Sequence, residues 1–246
     1  MLNFIAKPFG VLMEYIYNYL AFENYGLAII LFTVFARLIL FPLNLSQQRS
    51  MDKQQALMPE IEALKKKYGN DQNRLQQEQQ NLYAKYNINP MAGCLPMLLQ
   101  FPLLMALYEI IRDVETYIGP NVNKVFLGIF DLSVTPEWKV WAMDKADYKL
   151  YLPLLIFPIA AFATTYISQF LSTRQMKKKK DDKKDVAPNP MNGMMKIMPF
   201  MTLIFGFMVP AGLALYWAVG NILSILQTYL IRNVFTKKKE GSVKDA

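Results

Sequence analysis

The segment TVFARLILFP, residues 33–42, places Arg37 inside an otherwise apolar run that extends from Gly26 to Leu45. A helix of about 20 mostly apolar residues is long enough to cross about 30 Å of hydrocarbon. An arginine near the middle of such a span costs roughly 2.5–3.5 kcal/mol on translocon-based scales. At that depth the guanidinium offers a permanent positive charge and five hydrogen-bond donors.

The sequence leaves three explanations of Arg37 open. The side chain could snorkel to a lipid headgroup, although Arg37 lies about 16 Å from the outer edge of its span, which strains that explanation. It could form a buried ion pair with Glu109, the one acidic residue that falls within an apolar run. It could also face water inside the membrane.

Polar residues at helical spacing in the other apolar runs support the third explanation. They are Thr33 and Asn44 beside Arg37, Gln100 in a second run, Thr165, Ser168, Gln169 and Ser172 in a third, and Trp217, Asn221, Ser224 and Thr228 in a fifth. Single Ser or Thr residues commonly bond one membrane helix to another. Stripes on three runs, together with a charge, predict a hydrated, polar groove enclosed by a helical bundle.

The residue types that are missing limit the chemistry of this groove. The chain has no histidine and a single cysteine, Cys94. The commonest general base, the commonest zinc ligand and an internal disulfide are therefore absent. Glu109 is the one carboxylate at membrane depth, whereas an ion pump would normally carry several. The remaining surface is positive and hydrogen-bonding, performs no covalent chemistry, and is suited to holding polar or acidic peptide segments.

The elements that must position these residues are five apolar runs, in a chain that is 53% hydrophobic. We predict five transmembrane (TM) spans: TM1 26–45, TM2 94–111, TM3 151–171, TM4 195–209 and TM5 212–231. The fourth is short, and a bilayer can thin around such a span at modest cost. The expected fold class is an all-α polytopic membrane protein.

Charge distribution predicts the orientation of these spans. Segments 46–93, 172–194 and 232–246, with Lys196, carry twenty of the 27 Lys and Arg residues, and segments 1–25 and 112–150 carry six. Because positive charge marks the cytoplasmic side, the N-terminus is predicted outside and the C-terminus inside.

Residues 1–25 and 112–150 are thus expected outside the membrane. In the first, Phe9, Leu12, Ile16 and Tyr19 recur at helical spacing opposite Gly10, Glu14 and Asn18, which predicts an amphipathic helix on the outer membrane surface. The second is an external loop whose tryptophans and tyrosines suit the membrane interface.

Residues 46–93 are predicted to form a cytoplasmic helical hairpin. The sequence GND at 69–71 supplies a glycine that suits a helix end and an aspartate that suits the next helix start. The expected facing stripes are Leu57, Ile61, Leu64 and Tyr68 on the first helix and Leu75, Leu82 and Tyr86 on the second. A solvated spacer is the alternative. Segment 172–194 is expected to be a charged cytoplasmic loop, and 232–246 a cytoplasmic tail.

Three segments resemble the YidC/Oxa/Alb family of membrane protein insertases. They are FTVFARLILFPL, NPMAGCLPMLLQFPLLMALY and PAGLALYWAVGNILSILQTYLI, and the likeness extends from about residue 20 to 233. The resemblance implies a five-span core with a groove that is open to the cytoplasm and to lipid but closed outside. It places the groove arginine at Arg37 and its polar partners at Gln169 and Trp217, and Gln100 matches the glutamine of the family's second-span motif.

The resemblance also implies a function and its setting. The expected activity is insertion of nascent membrane proteins into a bacterial plasma membrane, without nucleotide, metal or other cofactor and without specific nucleic-acid binding. Candidate partners beyond the nascent chain and membrane lipids are the ribosome, the targeting machinery and the Sec translocon. A channel or transporter that uses the same cavity is the alternative function.

Overall fold

The computed structural model describes residues 2–89, 95–139, 147–177 and 190–231, which form eleven helices and one short β-hairpin. The helices before the hairpin are α1 (Leu2–Tyr15, extended by a π-helical turn, Ile16–Leu20), α2 (Tyr25–Ile39), α3 (Phe41–Ala56), α4 (Met58–Tyr68), α5 (Gln72–Lys85), α6 (Leu95–Arg112) and α7 (Val114–Tyr117). The remaining elements are the strands β1 (Val125–Phe126) and β2 (Phe130–Asp131), then α8 (Tyr148–Leu154), α9 (Ile156–Lys177), α10 (Pro190–Gly206) and α11 (Ala211–Leu230).

The expected helical class is confirmed, apart from the two-residue strands β1 and β2, which were not predicted from the sequence. Two stretches of the described residues are long and apolar enough to cross a membrane, Tyr148–Leu171 and Ala211–Leu230. They coincide with the predicted spans 151–171 and 212–231. The bent pair α2–α3 supplies a third if it is counted as one span, and Ile197–Gly206 is a shorter apolar helix. The five-span count stays a prediction.

The predicted span 26–45 is divided by a bend of 61° between α2 and α3. Pro42 is the second residue of α3 and explains the break. Proline has no backbone N–H, and its ring clashes with the carbonyl of the residue four positions earlier, here Leu38. The chain therefore turns at Leu40 and leaves Arg37 in the last turn of α2.

Helix α11 is the centre of the bundle, because it packs against α9, α2 and α6. Its N-terminal half is buried from Ala211 to Tyr216. Two of its first amide groups are bonded by the loop that follows the β-hairpin: the Ala211 N–H donates to the Val134 carbonyl (2.9 Å) and the Gly212 N–H to the Leu132 carbonyl (2.8 Å). These bonds satisfy helix-end donors that have no partner within the helix.

The β-hairpin closes over the start of α2. The ring of Phe126 lies so close to Gly26 that a Cβ atom there would overlap it, so only glycine fits at this position. Phe130 packs edge-on against Phe157 of α9, with ring centroids 5.3 Å apart. The hairpin therefore joins α2 to α9 at one end of the bundle.

The orientation predicted for the N-terminal helix is wrong in two positions. Gly10 was expected on the polar side but is buried beside Tyr117, whereas Tyr19 was expected on the apolar side and is 70% exposed. The face that is buried against the bundle carries Met13, Ile16 and Tyr17. A second apolar face stays exposed, so α1 has no single polar side from which its packing could be predicted.

The helical hairpin forms as α4 and α5. Gly69 ends α4, and the Asp71 carboxylate accepts a hydrogen bond from the Arg74 N–H (3.0 Å) at the start of α5, so both expected caps are confirmed. Of the predicted stripes, Leu57 and Ile61 are buried together. Tyr86 was misassigned: it is 44% exposed and its hydroxyl donates to Glu60 (3.0 Å). Ile88 takes its place in the cluster.

Several expectations lie outside the described residues. They are the turn and entry to the second span around 90–94, part of the external loop at 140–146, most of the charged loop at 178–189 and the tail 232–246.

Candidate functional site

Arg37 is partly buried between α2 and α11. Its guanidinium lies against the backbone of α11, where the ideal Cβ position of Gly220 is 3.3 Å from Nη2. Among the described residues, no hydrogen bond or ion pair joins this guanidinium to another side chain. Arg37 therefore presents a positive charge and free donors at a partly open position inside the bundle.

The alternative pairing of Arg37 with Glu109 is not formed, since no ion pair joins these two described residues. Glu109 lies near the C-terminal end of α6, within electrostatic reach of α7. The pKa of Tyr117 is raised above its usual value, mainly because its phenol is desolvated. The nearby negative charges of Glu109 and Asp113 raise it further. The Glu109 carboxylate is thus placed near the loop beyond α6.

Asn221 joins α11 to α9. Its Nδ2 donates to the hydroxyl oxygens of Thr165 (2.7 Å) and Thr164 (3.3 Å), which in turn donate to carbonyls one turn earlier in α9. Thr165 is buried. The predicted polar faces of α9 and α11 do meet, but at this point they bond the two helices to each other.

Thr33 is also buried, with 1% of its surface exposed, and its hydroxyl donates to the Ile29 carbonyl (2.7 Å). It lies on the Arg37 side of α2 without lining an open surface, because its hydroxyl is already bonded within its own helix. Gln169 and Trp217 are partly exposed on α9 and α11. Gln169 also makes an interaction of its own, so this residue is not without a partner.

Gln100 connects α6 to α11 by donating from Nε2 to the hydroxyl of Tyr216. Tyr216 is buried and lies within electrostatic reach of Arg37. A chain of polar groups therefore runs from α6 through α11 to the guanidinium on α2.

A second row of residues on α11, which was not predicted from the sequence, makes the contacts with α2. Tyr216, Gly220 and Gln227 follow one another at helical spacing, one position before Trp217, Asn221 and Thr228. Gln227 Nε2 donates to the Arg37 carbonyl oxygen (3.2 Å), and Gly220 lies under the guanidinium. The periodicity of Tyr216 and Gln227 was a usable signal, but Gly220 has no side chain that a polarity pattern could register.

The Gln227 bond satisfies a carbonyl at the break between α2 and α3. An unsatisfied carbonyl inside a membrane is costly, and helices that break there rely on neighbours for new donors. We expect Gln227→Leu to lower the free energy of unfolding by about 1–3 kcal/mol, because the Arg37 carbonyl loses this donor.

Thermal melting in nanodiscs measures this effect. Thr228→Val, one position further along α11, is the control and should change the stability by less than about 0.5 kcal/mol. Equal stability of Gln227→Leu and the wild type would show that the bond contributes nothing at the break.

These features define a helical, multi-pass membrane protein in which Arg37, without an ion-pair partner among the described residues, lies beside a polar helix. The comparisons with known proteins agree. The sequence profile described as "60Kd inner membrane protein" matches residues 15–239. The chain therefore belongs to the YidC/Oxa family of membrane protein insertases, which are not enzymes and whose substrates are nascent membrane proteins.

The chain is similar to short members of this family over most of their length. It is 38% identical to the membrane protein insertase YidC of Clostridium perfringens, covering 88% of this chain and 82% of that protein. It is 35% identical to the insertase MisCA of Bacillus subtilis, covering 96% and 80%. The YidC of Ectopseudomonas mendocina is much longer, since the match covers 99% of this chain and 36% of that one.

A solved structure agrees with the fold. A crystal structure of an active YidC insertase with its first transmembrane domain resolved superposes with a TM-score of 0.57 at 27% identity. The match covers 92% of this chain and 46% of that chain.

Proposed function

We propose that this protein inserts membrane proteins by passing their short polar tails along the Arg37 side of α11 while their apolar spans move into lipid. The single observation that carries the proposal is Arg37 in α2, within the predicted first span. It is partly buried and has no ion-pair partner among the described residues. A charge there is costly, and its usual explanation is a functional contact with a polar group.

The physical contribution of Arg37 is to lower the cost of bringing acidic groups into the bilayer. At about 4 Å and an effective dielectric constant near 20, opposite unit charges attract by roughly 4 kcal/mol. This attraction offsets part of the dehydration of a substrate carboxylate. The contact is made to many substrates in turn, which requires that the guanidinium has no permanent acidic partner.

The apolar part of the substrate is expected to leave along α9 and α10. Both helices expose large apolar side chains, which include Ile159, Tyr166, Ile167, Phe200 and Ile204. Transfer of a substrate span to lipid beside this surface is favourable by about 25 cal/mol per Å² of apolar area removed from water. No nucleotide is required for this step.

The helical hairpin is proposed to be the capture surface for the nascent chain or its targeting machinery. An open cavity of about 400 Å³ lies between α4 and α5, and its lining includes Glu60, Leu64, Glu78, Leu82 and Lys85. Its mixed apolar and charged lining suits an amphipathic peptide segment. The ribosome and the Sec translocon are further candidate partners on the same side.

Five spans with the N-terminus outside are part of the proposal. In a variant with Cys94 replaced by serine, single cysteines at Asn123 and Lys66, both exposed, should react from opposite sides of the membrane. We expect a membrane-impermeant maleimide to label Asn123→Cys in intact cells and Lys66→Cys only after lysis. The reverse labelling would contradict the proposed orientation.

The activity itself is tested with the purified protein in sealed vesicles. Insertion of a single-span substrate, followed by protease protection of its tail, should require the protein, and the same vesicles should retain a trapped small solute. Solute release without insertion would favour a channel over an insertase.

A further inference from the structure

We propose that Gly220 is a positioning residue that sets how well the site accepts acidic tails, an inference that rests on the proposed function. Gly220 has no side chain, so the Arg37 guanidinium can lie against the backbone of α11. The size of the side chain at position 220 would therefore decide where the positive charge lies.

The geometry around Gly220 is tight on the side of Arg37. A Cβ atom at position 220 would be 3.3 Å from Nη2 of Arg37, 3.9 Å from its Nε and 3.9 Å from Cγ2 of Thr33. The first distance is shorter than an ordinary van der Waals contact, so even a methyl group requires the guanidinium to shift. A larger side chain would occupy the space that the guanidinium now fills.

The backbone gives no other reason for glycine at this position. Gly220 lies within the regular helix α11 and has no left-handed φ angle. A glycine in a helix interior is less favourable than alanine, and a buried one also leaves the core less filled. The close approach of Arg37 is the feature that glycine permits and alanine does not.

The surrounding contacts make the guanidinium the part that must move. The Arg37 carbonyl is bonded by Gln227, and Thr33 is buried one turn earlier in α2. Gln227 thus holds the backbone of α2 against α11 beyond Gly220, and the Thr33 methyl group lies beside Gly220 itself. A side chain at position 220 would push the guanidinium away from this location, and the substrate contact would change with it.

The test measures insertion of two substrates that differ only in their tails, one acidic and one neutral. The quantity compared is the insertion rate of the acidic substrate divided by that of the neutral one. We expect Gly220→Leu to lower this ratio by about tenfold, the size of effect that losing one charge-assisted contact produces. Gly220→Ala should lower it by a smaller factor. A general folding defect would lower both substrates and leave the ratio unchanged.

Two further variants separate displacement of Arg37 from other effects. Gly206→Ala is the matched control, because a Cβ there would meet Pro158 at 3.1 Å in another tight helix contact. It should leave the ratio unchanged. In an Arg37→Ala background, Gly220→Leu should not lower the ratio further, since the group that it displaces is absent.

A conservative rescue completes the test. Lysine has a compact ammonium group in place of the planar guanidinium. Gly220→Ala combined with Arg37→Lys should therefore restore the ratio of Arg37→Lys alone. If Gly220→Leu does not fold, Gly220→Ala and this double variant decide the result.

The outcomes distinguish this inference from the proposed function. A ratio lowered by Arg37→Ala but not by either Gly220 variant would overturn the inference and leave the function standing. A ratio unaffected by Arg37→Ala would overturn the electrostatic mechanism, and the inference with it.

Discussion

Arg37→Glu is expected to reduce insertion of substrates with acidic tails by about a hundredfold, because it replaces an attraction with a repulsion at a site of low dielectric constant. Arg37→Ala should reduce it by about tenfold, and Arg37→Lys should retain most of the activity, since the charge survives. Neutral tails should be inserted within about twofold of the wild-type rate by all three variants. Insertion of matched acidic and neutral substrates into vesicles measures these effects.

The stability of these variants is the control. The guanidinium has no ion-pair partner among the described residues, so Arg37→Ala should leave the melting temperature nearly unchanged. If Arg37 did pair with Glu109, its removal would strand a buried carboxylate at a cost of about 3–5 kcal/mol, and Glu109→Gln would restore stability. Equal loss of acidic and neutral substrates, with stability intact, would mean that Arg37 is needed for a reason other than charge.

Removal of the helical hairpin is expected to have the second largest effect, a loss of insertion of at least about tenfold for all tails. Gln54 and Asn89 allow a clean deletion, because Gln54 Nε2 donates to the Asn89 carbonyl (2.9 Å) and the two residues are already adjacent. Residues 58–86 can therefore be replaced by a short Gly-Ser linker without separating α3 from the following segment.

The remaining bundle should fold without the hairpin, since Leu57, Ile61 and Ile88 form a cluster separate from the main core. Melting in nanodiscs should show an unchanged bundle transition. A matched control is Lys66→Gln at the exposed end of α4, which keeps the hairpin and removes one charge. Wild-type insertion by the deletion variant would rule out the hairpin as the capture surface.

Long apolar runs and helix caps were the parts of this fold that could be predicted from the sequence. Tyr148–Leu171 and Ala211–Leu230 are recognisable because membrane thickness sets their length. Gly69 and Asp71 are recognisable because helix ends need specific residue types. In both cases the physical requirement acts locally along the chain.

The parts that could not be predicted depend on contacts between distant segments. Two neighbouring rows on a helix are offset by only one position along the chain. The polarity pattern could therefore identify the row of Trp217 and Asn221, but not the adjacent row of Tyr216 and Gly220 that contacts α2. Gly220 contributes by having no side chain, which leaves room for the Arg37 guanidinium. Helix α1 has apolar residues on two faces, and only its packing against α6 decides which one is buried.

The hydrogen bonds at the start of α11 fix this end of the helix to the loop after the β-hairpin. The helix is about 30 Å long, and near its other end Gln227 bonds to the Arg37 carbonyl of α2. Two backbone bonds therefore hold the end at Ala211, whereas a single side-chain bond joins α11 to α2 towards Leu230. If a tail separates α11 from α2, we expect the Gln227 bond to break before the two backbone bonds do.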